Sequence, residues 1–199
     1  MAFPSIQPGF PDSVAGSQAV FRVAMNAMAR PGRCLTIEAG LTPPRPLAAA
    51  SAALLLTLCD FETAVWLDPP LAGEASIPEY IRFHTGARLV ASPAEAAYAV
   101  VSDTARMPPL ASFAQGTPDY PDRSGTLVLQ VDVLAARGWR LEGPGIAGHT
   151  RFSASPLPGD FAGQMRANRR RFPCGIDIFF TTGSEIAALP RSTRLTETA

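Results

Sequence analysis

Apolar positions along the chain fall into blocks of different period, and the blocks predict alternating helices and strands. Val14, Phe21, Met25 and Met28 follow Asp12 at helical spacing. They predict a helix capped by Asp12 or Ser13 and stopped by Pro31-Gly32. Residues 33–38, with Cys34, Leu35, Thr36 and Ile37, read as a short strand. Beyond the loop Pro43-Pro44-Arg45-Pro46, residues 47–59 form the most apolar stretch. It is too short to cross a bilayer and predicts a buried helix. Residues 62–67 read as a strand, 78–86 as a helix from Pro78 to Gly86, 97–101 as a strand and 109–113 as a short helical piece.

Residues 126–131 give the strongest strand signal. Their nearly unbroken apolar character suits a strand covered on both faces. Residues 139–142 and 150–154 predict two strands joined by a glycine turn, 160–170 a polar helix, and 175–181 a last buried strand. This interleaving predicts an α/β fold, with helices on both faces of a central mixed sheet. No internal repeat or long linker interrupts it, so the 199 residues read as a single domain over 1–199.

Composition narrows the function. Hydrophobic residues make up 47% and charged residues 17%, which excludes a disordered or fibrous chain. The net charge is zero and the pI about 6.7, so the basic excess of nucleic-acid binders is missing and no nucleic-acid partner is expected. All 17 basic residues are arginine. Without lysine there is no Schiff base to pyridoxal phosphate and no P-loop lysine, and no cofactor is expected. Any bound anion must be held by arginine, backbone N–H groups or hydroxyls. Cys34, Cys59 and Cys174 are widely spaced, and His84 and His149 belong to no metal-binding pattern. No metal is expected, and reduced thiols suit the cytoplasm. Residues 1–12 carry Pro4, Pro8 and Pro11 but no basic start followed by an apolar run, so they do not read as a signal peptide; no membrane association is expected.

Four motifs carry chemistry worth weighing. Residues 143–148 match GxGxxG, but a dinucleotide site needs a helix next and a strand is predicted there. The motif reads as a turn between strands. Arg166, Arg169, Arg170 and Arg171 gather at a helix C-terminus, where they suit the dipole or an acidic patch on a partner. Tyr120-Pro121-Asp122-Arg123-Ser124-Gly125 reads either as a proline–aspartate turn or as a loop presenting Asp122 and Arg123 to an anion. His84-Thr85-Gly86 closes a predicted helix, with His84 either a capping residue or a catalyst.

An ordered series of fragments goes further. It runs through Gly9-Phe10, Ser17-Gln18, Phe21-Arg22, Arg30-Pro31-Gly32, Glu62-Thr63, Trp66-Leu67 and Arg82-Phe83-His84-Thr85-Gly86. It continues with Gly116-Thr117, Tyr120-Pro121-Asp122-Arg123-Ser124, Gly143-Pro144-Gly145-Ile146, Gly175-Ile176-Asp177 and Leu189-Pro190-Arg191-Ser192-Thr193. Over about residues 9–194 the chain resembles the PhnH family, H subunits of the bacterial carbon–phosphorus lyase core complex.

The resemblance implies a three-layer α/β/α sandwich similar to pyridoxal-phosphate transferases but lacking the cofactor. It implies a subunit that works with the G, I and J subunits, in an assembly forming a ribose 1-phosphonate 5-triphosphate from ATP and a phosphonate with release of adenine. In that picture the J subunit breaks the carbon–phosphorus bond later, and the H subunit has no assigned catalytic residue. A homodimer is expected from the two-fold assembly and from the apolar helix at 47–59. Two readings stay open: an interaction subunit without chemistry of its own, or a ligand-binding or catalytic subunit with Arg30, His84, Asp122, Arg123 and Arg191 lining an anion pocket. An independent enzyme of the pyridoxal-phosphate type conflicts with the missing lysine.

Overall fold

The computed structural model describes residues 6–196. Part of the N-terminal stretch read for a signal peptide, Pro4 included, lies outside the described residues. Helix α1 (Ser13–Ala29) starts where Asp12 Oδ1 accepts from the N–H groups of Val14 and Ala15 at 3.0 and 2.9 Å, satisfying two donors that the helix leaves unpaired. There follow β1 (Leu35–Thr36), α2 (Ala49–Leu58), β2 (Ala64–Leu67), α3 (Pro69–Gly73), α4 (Ser76–Thr85), β3 (Arg88–Leu89) and β4 (Tyr98–Val101). The second half contains β5 (Thr126–Gln130), β6 (Val133–Glu142), β7 (Thr150–Ser155), α5 (Phe161–Arg170), β8 (Asp177–Thr182), β9 (Glu185–Leu189) and β10 (Arg194–Thr196).

Seven strands form a mixed sheet in the order β1-β9-β8-β5-β4-β2-β3. The run from β8 to β3 is parallel, and β9 turns back antiparallel between β8 and β1. Period-two alternation sends neighbouring side chains to opposite faces. Val65, Leu67, Val100, Val128 and Phe179 enter one core, shared with residues of α1, α2, α3 and α4. Trp66, Val101, Leu127, Leu129, Ile178 and Phe180 enter the other. Both faces are dry, which accounts for the unbroken apolar run at β5.

Helices on both faces were expected, and the second face differs. It is covered by α5 together with a separate sheet in the order β10-β6-β7, through Leu141, Phe152, Phe161, Met165 and Leu195. The GxGxxG segment is the turn between antiparallel β6 and β7, so no helix opens from it. Strand β8 is not the last, since β9 and β10 follow it.

Two further expectations change. Helix α1 buries Val20, Ala24 and Ala27, whereas Val14, Phe21 and Met25 face outward at 66, 47 and 57% exposure. Small side chains on the inner face let α1 lie close to α2, whose own Ala50 and Ala53 are fully buried. The apolar helix α2 is enclosed within the chain by α1, α4 and the sheet, so its burial needs no second subunit. Its polar residue Ser51 hydrogen-bonds Thr181 at 2.8 Å, and Gln130 at the end of β5 accepts from Ala48 N–H at 2.7 Å at the helix start.

Candidate functional site

Of the five residues expected to line one pocket, Asp122, Arg123 and Arg191 meet at one turn, while His84 and Arg30 belong to other parts of the fold. Arg191 follows β9 and is engaged structurally. Its Nη2 lies 2.6 Å from Asp177 Oδ2, Nε donates to both carboxylate oxygens at 3.2 Å, and Nη1 donates to the carbonyls of Pro121 (2.9 Å) and Pro173 (3.2 Å). The guanidinium ties the start of β8 to the turn before β5. Shared among three partners, the Arg191 guanidinium has few donors left to offer an anion.

Asp122 and Arg123 lie in that turn, a single 3-10 turn over Pro121–Arg123, and both are exposed. Arg123 does not pair with Asp122; it stacks over the ring of Tyr120 at 4.1 Å. Replacing Arg123 with lysine is therefore expected to change stability by less than about 1 kcal/mol. A urea denaturation curve checks this, and a loss of several kcal/mol would show a hidden structural role.

His84 sits near the end of α4. Its Nε2 lies 2.9 Å from the carbonyl of Gln7, and its ring meets Tyr80 and Phe83 edge-on. The helix ends where it was expected to, at Gly86, whose φ of 70° suits glycine. His84 thus fastens the N-terminal segment to α4. Arg30 ends α1 and, unlike the other four, lines a cavity described below.

Two larger cavities adjoin each other at Gly145. The first, of about 490 Å³, is largely apolar and lies where β4, β5 and β8 begin. Phe21, Met25 and Met28 of α1 form one wall, and Tyr98, Thr126 and Asp177 another. The second, of about 500 Å³, is lined by Arg30, Arg33, Cys34 and His149 among others, and among the described residues no carboxylate lines it. Sequence reasoning had Arg30 but not Arg33 or His149 as a ligand group. Only the proximity of Arg33 to Arg30 across Pro31-Gly32 signalled the pair; residue 149 joins them through the tertiary fold.

Burial sets the thiol and phenol chemistry. It pushes the Cys59 thiol up to about 12, with Asp60 adding to it, and the Tyr98 phenol up to about 12, with Cys59 and Asp177 contributing. The Cys34 thiol is raised by burial first and by Glu185 second. These cysteines stay protonated at neutral pH, which argues against a thiolate nucleophile. Among the described residues, no three His, Cys, Asp or Glu side chains are placed to hold a metal.

A pH dependence follows from the raised values. In the unfolded chain Cys59 ionises near 9 and Tyr98 near 10, while the folded chain keeps both protons to about 12. Their contribution is fully present below pH 9 and drains as the pH rises through that window. The urea midpoint is expected to fall steadily from about pH 9 upward, and less steeply in Cys59→Ala. A flat midpoint up to pH 11 contradicts it.

Fold and site together define a mixed α/β chain whose lysine-free sequence relies on arginine and which gathers two arginines around a cavity that no carboxylate of the described residues lines. The family model for the bacterial phosphonate metabolism protein PhnH matches residues 8–196. The chain belongs to the PhnH family. It is 42% identical over 188 residues to the alpha-D-ribose 1-methylphosphonate 5-triphosphate synthase subunit PhnH of Rhizobium meliloti (strain 1021), covering 94% of this chain and 93% of that one. It is 30% identical over 180 residues to the putative C-P lyase subunit protein HtxG of Stutzerimonas stutzeri, covering 89% of this chain and 85% of the relative.

Proposed function

We propose that this chain is a subunit of a carbon–phosphorus lyase assembly in phosphonate breakdown. It is needed, with G, I and J subunits, to form a ribose 1-phosphonate 5-triphosphate from ATP and a phosphonate. The observation that carries this is the end-to-end 42% identity to a relative named as a subunit of that synthase. The isolated chain performs no chemistry in this reading. That agrees with Arg191, Arg123 and His84 serving the fold rather than a reacting centre.

The same reading holds the chain to be one cytoplasmic domain over 1–199, with a three-layer sandwich related to the pyridoxal-phosphate transferases. A seven-stranded mixed sheet with a dry core on each face supports that architecture. No helix of the described residues is long and apolar enough to cross a membrane. A homodimer belongs to the reading too. Its support is now the outward row Val14, Phe21 and Met25 rather than α2, because large exposed apolar residues in a group favour association.

Deleting the gene tests the proposal. The host is expected to lose growth on methylphosphonate as its phosphorus source, to keep growth on phosphate, and to regain the first when the gene is restored. Normal growth of the deletion strain on methylphosphonate contradicts it.

A further inference from the structure

The cavity at the end of α1 is built by two chain segments pressed together through glycine. On one side Arg33 N–H donates to the Arg30 carbonyl at 3.2 Å, closing a turn that brings both arginines to its two ends. Gly32 inside that turn has φ 78°, and its N–H donates to Ala188 of β9 at 3.0 Å. A Cβ on Gly32 would meet Leu141 of β6 at 2.6 Å. On the other side, Gly145 has φ 81°, and a Cβ there would collide with the carbonyl oxygen of Ala29. The glycine turn that failed as a dinucleotide motif therefore forms one wall of this cavity, with His149 at its far end.

The chemistry of the lining is one-sided. Arg30 and Arg33 are exposed and meet no carboxylate among the described residues. Two carboxylates act on the rim without lining it. Glu142 is held by Arg140 at 2.8 Å, with weaker influence from Arg194 and His149, and Glu185 acts on Cys34. Two arginines carried at the ends of one turn add their positive potential over the cavity, which a bound anion would neutralise. Two planar forks also match a tetrahedral oxyanion better than a single ammonium could.

We infer that the cavity of Arg30, Arg33 and His149 is a binding site for a phosphoryl or phosphonyl dianion. The cavity is large enough for more than the dianion itself, so the group can arrive on a small organic phosphonate or at the end of a nucleotide. The inference deepens the proposed function and rests on it for the choice of probes.

Calorimetric titration of the purified chain at low salt tests it, with methylphosphonate in one arm and ATP in the other. Saturable binding in either arm is expected, and the arm that binds identifies the source of the dianion. The double variant Arg30→Gln/Arg33→Gln is expected to weaken that binding roughly tenfold or more. An unchanged melting curve is expected for this variant, since both side chains are exposed. The control Arg170→Gln/Arg171→Gln, changing exposed arginines at the end of α5, is expected to bind as the wild type does.

Three results overturn the site: no binding in either arm at about 10 mM ligand, unchanged binding in the double variant, or equal weakening in the control. Absence of binding combined with failure of the double variant to capture its partners assigns the arginines to an acidic protein surface instead. Growth of the deletion strain on methylphosphonate defeats the proposed function while leaving the titration result standing, so the two failures are distinguishable.

Discussion

Replacing Arg191 with methionine is expected to cost about 2–4 kcal/mol of folding stability. The side chains of Arg191 and Asp177 are 16 and 23% exposed, so water screens the pair only partly. Removing the guanidinium strands the carboxylate with one backbone donor, Arg191 N–H at 2.7 Å, and takes a donor from the carbonyls of Pro121 and Pro173. Such losses exceed what the pair contributes on balance, because the remaining partner must be desolvated alone. Arg191→Lys is expected to recover less than half of the deficit, since an ammonium cannot reach both oxygens and two carbonyls from one plane. Urea denaturation monitored by circular dichroism measures both. A methionine variant within about 0.5 kcal/mol of wild type would show that the network carries no stability.

The second large effect is expected at Gly145. Gly145→Ala combines a left-handed φ of 81° with a collision against the Ala29 carbonyl and an approach of 3.1 Å to Pro31. Backbone strain alone costs roughly 1–2 kcal/mol, and the overpacking adds about 1–3 kcal/mol as α1 is pushed from the hairpin. Gly148→Ala separates the two contributions, because its φ of 75° is similar but a Cβ there meets nothing within 4 Å. The expected order of stability is wild type, then Gly148→Ala, then Gly145→Ala by a clear further step. Equal losses at the two glycines would mean that the contact with Ala29 is loose. Anion binding is expected to weaken in Gly145→Ala and to persist in Gly148→Ala.

Local signals carried the elements whose neighbours in sequence determine them. Asp12 caps α1, Gly86 ends α4, and the apolar run at 126–131 contains β5, at the middle of the sheet. Local pattern failed where the deciding partner is distant. Strand β9, Glu185–Leu189, offers two alanines among its buried residues and no polar alternation, so only its pairing with β8 and β1 reveals it. On α1 the bulky residues suggested a buried face, yet the requirement for close approach to α2 selected the alanines. The site shows the same division. Arg30 was a candidate in the sequence, within the fragment Arg30-Pro31-Gly32, while its grouping with Arg33 and His149 depends on the close approach of Gly32 to Leu141 and of Gly145 to Ala29. Arg191 was expected beside an anion, and its pairing is with Asp177, which carries no distinguishing local pattern.

That this chain acts inside a phosphonate-processing assembly is tested most directly by affinity capture of the tagged full-length chain from its native host. Cells are grown on methylphosphonate, and the captured proteins are identified by mass spectrometry at defined stoichiometry. The expected result is co-recovery of G, I and J subunits in fixed ratio, surviving gel filtration as one complex. Recovery of the chain alone, with those subunits present in the lysate but eluting elsewhere, would contradict the account.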